Sequence, residues 1–369
     1  MSRLRFLPAQ LLVIALAASA GAQEAPKDSV RKFYRGLTFG SEAQFNPLTE
    51  ILNEGFDMLR IENAERRLGY LRYGQAATNV WRSVSHPDGA IRNYGGFWEM
   101  AKREILPLSL KPNHGQWLPN YTVHMIGSGM ISARMTEWYE AHNVPAPFAF
   151  SFATMYAAHF INEAVEDKGR VGRPLNVDPI ADLYLFDLAG ILLYRTERVR
   201  RLVNNDVVEL TNWAGQPAIN APEGTLENTT QEFVLRAKLP RTDMWRALIG
   251  FGVSSVAGVS YGKRDGVAVS IAGGADVVRN PIVDTLTDRR TVIPKPYGGV
   301  FVDREGSLLF SMMLRDSKEV VGIMNLYPGV IDVKGYTTGL WAQLLRDGSW
   351  RFGIVPTWGL GLGQNQRRR

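Results

Sequence analysis

His124, His159, Glu163, Glu166, Asp178 and Asp182 stand in stretches that otherwise read as apolar core, and they offer this chain its chemistry. His159 and Glu163 are four apart and Glu166 lies three further on, spacings that put all three on one helix face. Their neighbours include Phe148, Phe152, Met155, Phe160 and Ile161. Asp178 and Asp182 are also four apart, and Asp187 follows among Leu185, Phe186, Leu188 and Ile191. His124 and Ser128 share a third such stretch with Asn120 and Arg134, where Gly127 and Gly129 allow a close approach. A charge in apolar surroundings is costly unless it is paired, hydrogen-bonded or metal-bound.

Three kinds of chemistry meet that requirement. Glu163 or Asp182 could act as a base with His124 or His159 as acid or ligand, because crowded carboxylates in apolar surroundings have shifted pKa values. The same His and carboxylate groups could bind a divalent metal. Or the set is a closed polar network that fixes helix packing without catalysis. The balance favours the network and leaves the metal open, with no other cofactor expected. Ser128 between two glycines resembles a nucleophile elbow but lacks the preceding strand. The Gly-x-Gly runs at 250–252 and 359–363 have no following helix and are not dinucleotide loops. Asn228-Thr229-Thr230 is a formal glycosylation acceptor.

Three helices must position the cluster. The spacing predicts the first over 121–141, stopping before Asn143 and Pro145. A second is predicted over 147–167 and a third from Asp178-Pro179 to about Val203, with Arg195, Arg198, Arg200 and Arg201 at its negative end. Upstream, residues 45–71 have helical spacing, with Leu48, Ile51, Leu52, Phe56 and Leu59 as the apolar stripe. Residues 81–98 read as irregular. From Gln231 the period changes to 2, with turns at Asp265-Gly266, Glu305-Gly306 and Asp347-Gly348. The expected fold class is α+β: a helical module, then an antiparallel β-barrel of about eight strands. The expected divisions are a leader (1–22), a mixed N-terminal region (23–120), a three-helix module (121–204) and the barrel (225–369).

Arg3 and Arg5, the apolar run 11–20 and Ala20-Gly21-Ala22 form the pattern of a secretory signal peptide, and no Cys follows it to carry a lipid. The apolar run is shorter than the roughly 20 residues a spanning helix needs. The 369 residues contain no Cys, which excludes disulfides, thiolate metal sites and Cys nucleophiles. The net charge of +6 owes much to Arg3, Arg5 and Arg367–Arg369. The body between them is close to neutral, so no nucleic-acid partner is expected. The long alternating run at 248–261, with Trp341, Trp350, Phe352 and Trp358 as girdle aromatics, favours a barrel in a membrane over one in water.

The motif Asn120-Tyr121-x-x-His124-x-x-Gly127-x-Gly129 with Arg134, then Glu163-x-x-Glu166, then Asp178-Pro179 to Asp187-x-x-Gly190, resembles a domain-of-unknown-function family of Gram-negative envelope proteins. The order of His, Glu and Asp is also similar to VanZ-like membrane proteins. The chain has Met125 where the first family has Pro, and Asp187 where VanZ-like proteins tend to have Asn. The resemblance covers 120–190. It implies an envelope location and a helical element joined to a β-barrel, and no established reaction. The expected protein is therefore an exported envelope component in the outer membrane or periplasm, meeting membrane lipid or another envelope component. The alternatives are a lipid- or glycan-directed hydrolase or transferase, and a barrel that binds an apolar ligand in its lumen.

Overall fold

The computed structural model describes residues 31–61, 66–109, 115–284 and 289–366. The leader, its cleavage site and the Arg367–Arg369 tail lie outside the described residues.

Helix α1 (Pro47–Phe56) begins on Asn46, whose Oδ1 accepts the N–H groups of Leu48 and Thr49 at 3.0 and 3.1 Å, with Pro47 in the first turn. A 3-10 turn, Asp57–Arg60, ends it well before residue 71. It buries a polar face as well as part of the expected apolar stripe, since Leu52 and Phe56 pack on the buried Leu59. Glu50, Asn53, Glu54 and Asp57 are buried, while Leu48 is exposed. Residues 81–98 are helical rather than irregular, divided among α2 (Tyr73–Ser85), α3 (Pro87–Asn93) and α4, which runs Phe97–Met100 and then a π turn Ala101–Ile105.

The three expected helices form. Helix α5 is composite: Trp117–Pro119, a π-helical Asn120–Gly127, then Ser128–Ala141. Helix α6 spans Pro147–Asp167, as the spacing predicts. Helix α7 is again composite: Asp178–Ile180, a π-helical Ala181–Asp187, then Leu188–Tyr194. The extended backbone at Thr196 breaks the expected run to Val203, so α8 (Glu197–Val203) is separate.

The strands are β1 (Val208–Asn212), β2 (Ala218–Asn220), β3 (Thr225–Glu227), β4 (Glu232–Lys238), β5 (Trp245–Gly252), β6 (Ser254–Gly262), β7 (Val267–Asp284), β8 (Arg289–Arg304), β9 (Ser307–Arg315), β10 (Val320–Leu326), β11 (Asp332–Val333), β12 (Tyr336–Thr337), β13 (Gly339–Leu345), β14 (Trp350–Val355) and β15 (Gly361–Gln366). Thirteen form one sheet in the order β1-β4-β5-β6-β7-β8-β9-β10-β13-β14-β15-β2-β3, antiparallel except for the β15–β2 pair. This corrects the closed barrel of about eight strands: the sheet has more strands, and no ladder joins its end strands β1 and β3. Both ends belong to one segment, 208–238, where the Trp213 and Gly215 N–H groups bond the carbonyls of Glu232 and Thr230. The sheet therefore curls until its ends meet in that segment. The first strands escaped the period-2 count because they are short and split by polar residues that use their side chains. Asn228, the formal glycosylation acceptor, is one of these: it is buried and donates to Gln216 O at 2.9 Å and Asn325 Oδ1 at 2.7 Å.

The inward face of the sheet mixes buried polar residues with an apolar cluster that includes Leu248, Val256, Tyr297 and Met313. The cross-strand row Arg246, Ser260, Ser270, Phe301, Ser311, Asn325, Trp341 is buried throughout. Arg236 bridges Glu209 at 2.8 Å and Asp303 at 2.7 Å, and Arg315 meets Asp276 at 2.6 Å. α1 fills part of this interior: Asn53 Nδ2 donates to Gly215 O at 3.2 Å, and Gln231 donates to Glu50. On the outer side, helices cover β1, β4 and β5 through an apolar layer in which Met130, Ile131, Met135, Met155 and Ile191 meet Leu210 and Phe233.

Arg236→Met removes the cation that bridges the two buried carboxylates Glu209 and Asp303. It is expected to destabilise the fold by about 3–5 kcal/mol, read from denaturant midpoints, and Arg236→Met with Asp303→Asn should recover part of that loss.

Candidate functional site

Three of the elements just described converge on Asp187. His124 lies on the π-helical part of α5, His159 on α6, and Asp187 ends the π-helical part of α7. A π turn adds a residue per turn and so redirects a side chain that an α-helix would point elsewhere; such turns recur at functional sites. Gly190 makes the approach of α7 to α5 feasible, because a side chain there would run into the backbone of Met125.

His124 Nδ1 lies 3.1 Å from Asp187 Oδ1, and His159 Nδ1 hydrogen-bonds Asp187 Oδ2. The far nitrogens also meet carboxylates: His159 Nε2 is 3.2 Å from Glu54 Oε1, and His124 Nε2 is 3.5 Å from Asp182 Oδ2. The rings stand edge to face with centroids 5.5 Å apart. Glu54, His159 and Asp187 are almost fully buried, and His124 is partly exposed. Around them lie Asp57, which accepts from Asn162 at 2.7 Å, and Tyr156, whose hydroxyl donates to Leu183 O at 2.7 Å.

Burial alone would lower the imidazole pKa values. For His159 the charge and hydrogen bond of Asp187, with those of Glu54, outweigh it and hold the ring well above its ordinary value; His124 is raised by Asp187 in the same way. Asp187 is held low because the two histidines outweigh its own burial. The surrounding carboxyls move the other way. Burial, then the charges of Asp182 and Asp178, raises Glu163 well above the carboxylate range, and burial with Asp178 and Asp187 does the same to Asp182. Burial, reinforced by Glu54, pushes Glu50 to about 8 and Asp57 to about 7.

Of the residues singled out in the sequence, His124, His159 and Asp182 meet here, with Glu163 acting on Asp182 and His124. Asp178 acts through its charge on Glu163 and Asp182. Among the described residues, the donor atoms that gather within 4.8 Å belong to His124, His159 and Asp187; Glu166 and Asp178 are outside that group. Sequence spacing missed Glu54 and Asp57 because α1 was read by its apolar stripe. The signal was the complementary stripe, Glu50, Asn53, Glu54, Asp57, at i, i+3, i+4, i+7.

Ser128 Oγ lies 3.2 Å from His159 Nε2, which with Asp187 gives the order of a Ser-His-Asp triad. The chemistry does not follow. Glu54 competes for the same nitrogen at 3.2 Å, and Ser128 is wholly buried. Glu163 and Asp182 are likewise buried. No protein-family model, curated protein or solved structure matches this chain.

The raised carboxyls make stability fall with pH. The folded state keeps the Glu50 proton to about pH 8, whereas the unfolded chain releases it near its ordinary value of 4.5. The folded state thus binds more protons between those values, and stability declines as pH rises through them. Glu50→Gln carries no such proton. It should match the wild type near pH 5 and exceed it at pH 8, with the difference growing by up to about 1.4 kcal/mol per pH unit, measured from denaturant midpoints at each pH.

Proposed function

We propose that this protein is an exported envelope protein seated in the outer membrane of a Gram-negative bacterium, with the outer face of its curled sheet in lipid. The observation that carries this reading is the apolar outward row of the sheet. One residue along from the polar inward row runs the row Ala237, Ala247, Val259, Ile271, Val300, Met312, Met324, Ala342, Phe352, each opposite the next across nine strands. No polar residue interrupts it. Val267, Ile271, Leu314, Ile354 and Leu362 are each more than half exposed. Water-soluble sheets bury the apolar side of the alternation, whereas lipid-facing sheets present it. Aromatics add to the face: Trp245 packs against Tyr261 with the rings tilted and centroids 4.9 Å apart, and Trp350 and Trp358 are exposed. No helix of the described residues is long and apolar enough to cross a membrane, so the sheet is the element this reading places in lipid.

The ion-paired interior, filled by α1, favours a sealed protein over the apolar-ligand barrel. The burial of Ser128, Glu163 and Asp182 supports no hydrolase or transferase step.

Expression of the full chain in a Gram-negative host tests the reading. The protein should fractionate with the outer membrane, need detergent for extraction and migrate differently on gels with and without heating. Ile271→Arg and Leu314→Arg should each impair assembly by about 2–4 kcal/mol where the side chain sits at the bilayer midplane. Recovery as a soluble periplasmic protein, with the apolar face covered by a second copy, would overturn it.

A further inference from the structure

The pairing of His124, His159 and Asp187 has the form of a metal site, and we propose that these three residues bind one divalent first-row transition-metal ion. The ion would sit between the two Nδ1 atoms and the Asp187 carboxylate. This inference does not rest on the lipid reading.

Three observations carry it. First, the donor atoms of three helices lie within 4.8 Å of one another. The His124 Nδ1 to Asp187 Oδ1 distance of 3.1 Å is close to the separation of about 3.4 Å between neighbouring donors of a tetrahedral ion with 2.0–2.1 Å bonds. Second, each imidazole has a carboxylate on its far nitrogen: Glu54 for His159 at 3.2 Å and Asp182 for His124 at 3.5 Å. Metal-binding histidines almost always donate that second N–H to a carboxylate, a carbonyl or water, which fixes the ring and raises its basicity. Third, Glu54 Oε2 is buried with no hydrogen-bond partner among the described residues, and Glu54 faces the His159 ring through its other oxygen. A carboxylate with an unsatisfied oxygen on the far nitrogen is a strong acceptor for an imidazole that a bound cation polarises.

Two imidazoles with carboxylate suit zinc, iron or manganese better than calcium or magnesium, which prefer all-oxygen shells. On binding, His124 and His159 each give their Nδ1 lone pair to the ion. A proton on either Nδ1 leaves to solvent, and each Nε2 keeps its own proton and donates it to Glu54 or Asp182. Three protein ligands leave a further position for water or an exogenous group, the pattern of reactive rather than purely structural sites.

The test uses the full-length protein, stripped with chelator and titrated with Co2+, whose visible absorption reports nitrogen and oxygen ligation. One Co2+ per chain should bind with intensified visible bands, and Zn2+ should displace it. His159→Gln and Asp187→Asn should abolish the bands. Glu54→Gln, which keeps all three ligands, should weaken binding by about 10–100-fold, so the proposal stays testable if a ligand variant does not fold. A wild-type protein that leaves Co2+ with the spectrum of the free aqua ion overturns the proposal. So does binding that Glu54→Gln, His124→Gln and His159→Gln all leave unchanged, since the metal is then held elsewhere.

Discussion

The rest of this structure depends on the burial of a polar helix face. Helix α1 carries Glu50, Asn53, Glu54 and Asp57 on one side, and that side is shut away from water. Carboxylates in such a position are strongly unfavourable unless each meets a donor, a proton or a cation. The fold answers on two fronts. Toward the sheet, Gln231 and the backbone at Gly215 and Thr230 satisfy Glu50 and Asn53. Toward the helices, Asn162 and His159 meet Asp57 and Glu54. α1 is therefore the joint through which the two halves of the molecule hold each other in register.

That joint explains why the histidines and the sheet interior belong to one design. The sheet curls around charged and amide side chains as well as an apolar cluster that includes Leu248, Phe301 and Tyr327, and its Arg236 and Arg315 ion pairs belong to the polar part of that interior. The helical layer packs on the outer side of β1, β4 and β5 through Phe233 and Leu210, and its small residues set how closely the helices cross. Gly127 lies against Phe233, and Gly129 against Tyr194 and Gly190. Two π turns then rotate His124 and Asp187 into the same small volume. Each of these features is locally unfavourable or neutral, and each is compensated by the contacts it makes possible.

The phase of the alternation sets the exterior as well as the interior. Alternation in a strand forces neighbouring residues to opposite faces, so a sheet that points Ser260, Ser270 and Ser311 inward must point Val259, Ile271 and Met312 outward. The lipid-facing reading and the buried polar centre are thus two sides of one patterning decision.

Much of this was legible in the chain, and the limits are physical. The helical runs around His124, His159 and Asp182 follow from 3.6-residue spacing, with α6 matching its bounds, and the change to period 2 announces antiparallel strands. The polar residues within those apolar helices marked the region of the centre before any contact was known. Spacing cannot tell which stripe of an amphipathic helix faces inward once the interior itself is partly polar, and α1 was misread for that reason. Nor can it foresee a π turn, which depends on what the redirected side chain meets, or the short split strands β1 to β3, whose backbone and side-chain hydrogen bonds reach across the molecule. By itself the sequence determined the element types and the phase of their alternation, because both are local properties. Only the tertiary structure decided that Glu54 and Asp187 close on the same histidine, because that contact joins residues 133 positions apart through three helices whose crossing no local pattern encodes.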